Sequence, residues 1–192
     1  MKLTEHINTV TRTCFHHLHN MYKICQCVNE EAAKTMVHAL ITSRLDYCNS
    51  LFYGLPKCHL KKLEMVQRAA ARFISMTRKY DHITPTMRKL HWLPIESRIV
   101  YKTLLITFKA MNSCAPTYIS ELLVRRKNKG TRQDNKLLLE IPKIKTKSFR
   151  NRAFPISAPT LWNTLPADVR SLTSTEPFKQ KLKTHIFRLA YT

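Results

Sequence analysis

Between Asp81 and Lys109 the sequence reads DHITPTMRKLHWLPIESRIVYKTLLITFK, and two prolines in it each mark the start of a helix. Thr84 precedes Pro85, offering a hydroxyl as N-cap and then a residue whose missing N–H a first turn does not need. A short helix carrying Met87, Leu90 and Trp92 is expected there. Pro94 stops it and opens a longer helix, roughly Ile95 to Asn112, in which Val100, Leu104, Phe108 and Met111 recur at helical spacing on one face. At about 100° per residue Arg98, Lys102 and Lys109 fall on the opposite side. The pattern commits the chain to helices that are apolar on one face and cationic on the other.

The same design recurs upstream. Ile7, Val10, Cys14, Leu18, Met21 and Cys25 mark a first helix, and Asn29 is the expected N-cap of a second, with Glu30 and Glu31 at its positive end. Val37, Leu40, Ile41, Leu45 and Cys48 form that helix's stripe, and Gly54 can take the positive φ that ends it before Pro56. Arg44 and Asp46 read as an ion pair within or between helices that fixes packing. A third helix, roughly Leu60 to Thr77, shows Leu63, Val66, Ala70, Phe73 and Ile74 on one face. Lys61, Arg68 and Arg72 line another, which Lys79 continues if the helix runs that far. Ala69, Ala70 and Ala71 permit close approach of a neighbour.

Beyond Met111, Pro116 opens a short helix with Tyr118, Ile119, Leu122 and Leu123. From Arg125 to Arg152 the composition changes: eleven Lys or Arg, including Arg125, Arg126, Lys127, Lys143, Lys145 and Lys147, stand against Asp134 and Glu140. Leu137, Leu139 and Ile141 alternate with a period of two, which suits a short strand or hairpin arm, but no second convincing strand is present to pair with it. Ala153 to Asn163 is broken by Pro155 and Pro159 and reads as an irregular or short helical docking element. A last helix begins near Thr175 with Phe178, Leu182, His185 or Ile186, and Leu189 as its stripe. The expected fold is therefore mainly α: an irregular bundle of about six helices over residues 1–124, a basic extended arm over 125–152, and a docking segment with a C-terminal helix over 153–192.

Charge narrows the partner. Thirty-three Lys and Arg against twelve Asp and Glu leave a net charge of +21, which favours a polyanion over a neutral surface and points to RNA or DNA bound through phosphates without sequence preference. The cationic candidates are Lys61, Arg68, Arg72, Lys79, Arg98, Lys102, Lys109, Arg125, Arg126, Lys127, Lys143, Lys145 and Lys147. Tyr80 is a candidate for base stacking, and so is Trp92 unless it is buried. No signal-like or membrane-length apolar run is present, and six cysteines lying mostly within helical patterns suit free thiols in an intracellular setting, cytoplasmic or nuclear. His16, His17 and His19 lack an HExxH context, and Cys25-Gln26-Cys27 is one residue short of zinc-ribbon spacing, so no metal site is assigned. With two glycines in 192 residues there is no phosphate-binding glycine loop and no GxSxG elbow. No cofactor or small-molecule ligand is implied.

Six ordered blocks carry a resemblance. HITPTMRKLHWLP, followed by RIVYKTLLITFKA and APTYI, is similar to the segment downstream of the polymerase domain in LINE-type, non-LTR retrotransposon reverse transcriptases of the jockey-like kind. LTEHI at Leu3 to Ile7, SRLDYCNSLFYGLP at Ser43 to Pro56, VQRAAARFI at Val66 to Ile74, NRAFPISAPTLWNTLP at Asn151 to Pro166 and FKQKLKTHIF at Phe178 to Phe187 resemble blocks of that region in the same order. The resemblance implies the thumb and post-polymerase part of an RNA-directed DNA polymerase, holding template RNA or an RNA/DNA duplex beside an active site located elsewhere, with the missing polymerase domain as a further partner. That family holds two metal ions with adjacent palm aspartates, and this sequence has no Asp-Asp pair. The chain is not expected to be an enzyme on its own. The zinc-knuckle pattern at the end of some retrotransposon polymerases is also missing. The alternative reading is a helical protein-interaction piece or a decayed retroelement remnant without independent function.

Overall fold

The computed structural model describes residues 3–126, 137–142 and 152–192. Among these the chain is mainly helical, and its β-type pairing is an isolated antiparallel bridge between Arg125 and Leu139. It divides into two compact units, Met1–Arg98 with Tyr191, and Ile99–Ala190 with Thr192. The division falls inside a helix.

The first unit contains α1 (Leu3–Lys23), α2 (Glu30–Val37), α3 (Ser43–Asp46), α4 (Lys57–Ser75) and α5 (Thr84–Lys89). Asn29 caps α2 as its side chain predicts, Oδ1 accepting the Ala32 N–H at 2.8 Å. A π-helical stretch, His38–Thr42, joins α2 to α3. The extra residue in its turn shifts the helical phase. Val37, Ile41 and Leu45 are buried, Leu40 is half-buried, and Cys48, expected in the stripe, is exposed with a φ of 51°.

Helix α4 is central to this unit and packs against α1, α2 and α5. Leu63, Val66, Ala70, Phe73 and Ile74 are all buried, as their spacing requires. Ala70 and Ala71, with no bulk beyond Cβ, sit in the buried seam. Gln67 is also buried, and its amide is satisfied by donating to the Leu93 carbonyl at 2.8 Å.

Glycine is scarce, so other residues terminate the helices. Gly54 has the expected positive φ, but Met76 after α4 and His91 after α5 also adopt left-handed conformations. At His91 the closure has two bonds: its N–H donates to the Arg88 carbonyl, and the Trp92 N–H reaches the Met87 carbonyl, each at 3.0 Å. Met87 and Trp92, the two positions that are commonly apolar at this type of helix end, are both buried. The start of α5 differs from expectation. Ile83 occupies the N-cap position and no side chain caps it, because Thr84 already lies inside the first turn.

The second unit contains α6 (Ile95–Met111, whose first turn belongs to the first unit), α7 (Thr117–Ser120), α8 (Phe154–Thr164), α9 (Ala167–Arg170) and most of α10 (Thr175–Tyr191). Phe108 of α6 stacks on Phe178 of α10 with centroids 4.0 Å apart, and Trp162 of α8 lies 6.0 Å from Phe178. Phe178, Leu182 and Ile186 are buried, whereas His185 is half-buried and Leu189, expected in the same stripe, is exposed. The buried side of α6 is rotated from the predicted stripe. Ile99, Thr103, Leu104, Thr107, Phe108 and Ala110 are buried while Val100 and Met111 are only half so. The two threonines make this possible by donating to the carbonyls four residues back, Ile99 and Thr103.

Residues 137–142 fall within the expected basic arm, yet they are tied down. Leu139 is buried, and the Asn163 side chain satisfies both its N–H and its carbonyl at 2.9 Å. The Trp162 indole N–H donates to the Leu137 carbonyl at 2.8 Å. On the other edge, the Arg126 N–H donates to the Leu138 carbonyl and the Glu140 N–H to the Val124 carbonyl. No helix among the described residues is long and apolar enough to cross a membrane.

Candidate nucleic-acid interface

A phosphate-binding surface needs cations that are exposed, near one another and not neutralised by carboxylates. Burying one side of α4 against α1 and α2 leaves Lys57, Lys61, Glu64 and Arg68 together on its outer side. Lys57, Lys61 and Arg68 are exposed. Lys61 and Arg68 are separated along the helix by about 10 Å at ~1.5 Å per residue. Glu64 stands between them, but its carboxylate is 3.7 Å from the Arg68 guanidinium, a loose pair on a side chain still 55% exposed. Such a pair contributes little and is readily exchanged for a phosphate.

Arg72 is not an open cation of this row and Lys79 does not continue it as a helical stripe. Helix α4 ends at Ser75, and Met76 turns the chain away. Arg72 is half-buried and donates through Nη2 to the Asp81 carbonyl at 3.4 Å, so it anchors the following turn. Lys79 lies in that turn beside Arg78, both exposed. The cationic surface is therefore the outer side of α4 followed by a basic turn, all within the first unit. Lys57 and Arg78 were not among the sequence-derived candidates. Lys57 is one helical turn before Lys61, a signal lost by starting the helix at Leu60, and Arg78 is next to Lys79.

Arg98, expected on the outward cationic side of α6, instead turns inward. Its side chain is 14% exposed, Nη1 donates to both oxygens of Asp46 at 2.9 and 3.0 Å, and Nε donates to the Leu93 carbonyl at 3.1 Å. Its guanidinium also lies 5.9 Å from the centroid of the buried Trp92 ring. The ion pair expected around Arg44 and Asp46 thus uses Arg98 as its cation, and Arg44 remains exposed.

In the second unit Lys102 and Lys109 are half-buried, not on an open face. Arg125 and Arg126 are exposed, and Arg125 donates to the Met111 carbonyl at 3.3 Å. Lys127, Lys143, Lys145 and Lys147 lie outside the described residues. On α10, Lys181 and Lys183 are exposed, with Asp168 3.7 Å from Lys181.

His16 and His19 are exposed, and His17 is half-buried. Its own burial, then the nearby Arg44 and His16, hold it below the usual imidazole range. Among the described residues no group of three or more His, Cys, Asp or Glu could hold a metal ion. The sequence matches no protein-family model and no curated protein, and the fold matches no solved structure.

Proposed function

We propose that this chain is a non-catalytic nucleic-acid-binding segment of a LINE-type retrotransposon reverse transcriptase, holding template RNA or an RNA/DNA duplex through its phosphates. The observation that carries the reading is the outer side of α4, where Lys57, Lys61 and Arg68 are exposed and Arg78 and Lys79 follow in the next turn. A chain with a net charge of +21 has far too few carboxylates to neutralise such a surface internally. The ordered sequence blocks are what support the family, and the charge is what supports the partner class. Binding relies on counterion release, so affinity falls steeply with salt and depends little on base sequence.

The test is fluorescence anisotropy with labelled single-stranded RNA, single-stranded DNA and an RNA/DNA hybrid between about 50 and 200 mM salt. A linear fall of log affinity with log salt is expected for all three. Absence of binding at the low end, or affinity indifferent to salt, overturns the reading.

A protein-interaction role has one observation in its favour: Tyr47 and Leu51, 67% and 60% exposed, stand close in sequence after α3. Substituting both with serine leaves nucleic-acid affinity unchanged if they serve a different partner.

A further inference from the structure

The turn that follows α4 places one aromatic ring almost wholly in solvent. Tyr80 is 91% exposed, the most open of the large apolar side chains described. The backbone on either side of it, by contrast, is held at several points. The Asp81 N–H donates to the Arg78 carbonyl at 3.2 Å, closing a β-turn with Lys79 and Tyr80 as its two central residues. The Asp81 carboxylate accepts the Arg78 N–H at 3.1 Å, and the Arg72 guanidinium reaches across from α4 to the Asp81 carbonyl. The Lys79 ammonium lies 5.8 Å from the Tyr80 ring centroid.

Burying an aromatic ring is favourable, so a ring left in water on an anchored turn gains free energy from any flat apolar surface that covers it. The cations around it determine which surface can approach. Arg78 and Lys79 precede Tyr80 in the same turn, the Lys79 ammonium beside the ring, and Lys61 and Arg68 lie before them on α4, so a strand drawn in by its phosphates brings its bases to the ring. In a duplex the bases are already stacked on one another and offer no free face except at an end. An unpaired base has two.

We propose that Tyr80 is a stacking platform for an unpaired base, so that this surface binds single strands, or the single-stranded end of a duplex, more tightly than continuous duplex. Lys79 and Arg78 hold the adjoining phosphates. The proposal rests on the phosphate-binding reading above and adds to it a specific strand form and the residue that recognises it.

The test compares Tyr80→Ala, Tyr80→Phe and Tyr80→Trp in the full chain on three labelled probes of equal length: an ordinary single strand, a single strand of abasic sites, and a blunt duplex. Tyr80→Ala is expected to weaken the ordinary single strand by about 5- to 100-fold. It should leave the abasic strand, which keeps its phosphates, within about 2-fold. Phenylalanine should retain binding because it keeps the ring, and tryptophan should match or exceed the wild type. If Tyr80→Ala weakens the ordinary and abasic strands equally, or neither, stacking is overturned while phosphate binding stands. If the wild-type chain binds none of the three probes, the phosphate-binding reading fails and the inference fails with it.

Discussion

Asp46 and Arg98, fifty-two positions apart, meet in a two-pronged contact in which Nη1 of the arginine donates to both carboxylate oxygens. The arginine also lies over Trp92 and shares the Leu93 carbonyl with Gln67. Its charge organises the first unit instead of facing outward. Asp46→Ala leaves a nearly buried guanidinium without its carboxylate, and a loss of about 2 kcal/mol is expected by chemical denaturation. A loss below about 0.5 kcal/mol would show the pair to be screened like an ordinary surface bridge.

Substitutions at Arg98 and Arg68 are expected to separate stability from the proposed binding. Lys61→Ala and Arg68→Ala should each lower the slope of log affinity against log salt by about one, with stability nearly unchanged. Arg98→Ala should do the reverse, destabilising the fold while leaving the slope alone. Glu64→Gln removes the acidic neighbour of Arg68 and should tighten binding modestly. The check is a salt titration of each variant beside its denaturation curve.

Asn163 is the clamp on Leu139. Replacing it with alanine strands both backbone polar groups of a buried residue, at a cost of about 2–3 kcal/mol. Hydrogen exchange at the Leu139 amide should accelerate before that of the α10 core. Unchanged exchange there would mean that water replaces the side chain at no cost.

Cys14 is fully buried, and that burial raises its thiol pKa from 9.0 to about 11, with the Arg44 charge opposing. The folded chain holds this proton more tightly than the unfolded one, so its contribution to stability is complete below about pH 9 and is lost as pH rises towards about 11. The expected decline is about 1.4 kcal/mol per pH unit in that window. Denaturation curves at pH 8.5, 9.5 and 10.5 should show Cys14→Ala falling less steeply than the wild type. In native protein at pH 8 a thiol reagent should modify the exposed Cys27, Cys48, Cys58 and Cys114 and spare Cys14.

Met76 has a φ of 52° at the end of α4 and is 62% exposed. Glycine there relieves the clash between Cβ and backbone but adds freedom to the unfolded chain, for a net gain of roughly 0.5–1 kcal/mol. A thermal melt of Met76→Gly should shift upward. A downward shift would mean that the thioether packs well enough to outweigh the strain.

Much of the helical layout is legible in the residues themselves. The α4 stripe, the Asn29 cap, the start of α10 and the proline that opens α6 follow from local chemistry alone. The failures have local causes too. Thr84 looked like a cap because cap and first-turn positions differ by one residue, and the α6 stripe was misplaced because Thr103 and Thr107 bury their hydroxyls by bonding to their own helix. Pro159 suggested a break, yet it lies within α8. The candidate site was half legible. Lys61 and Arg68 could be placed from periodicity, whereas Arg72 and Arg98 carry the same charge and differ only in what faces them.

By itself the sequence determined where most helices form, which side of α4 is apolar, and that the chain carries a large excess of positive charge, because these depend on residues a few positions apart. The tertiary structure alone decided which cations remain open. It brought Asp46 to Arg98 and the Asp81 carbonyl to Arg72, while leaving Lys61 and Arg68 to solvent and the Tyr80 ring uncovered. A charge is neutralised by whatever lies within a few ångströms, and for a folded chain that neighbour is set by how the helices pack.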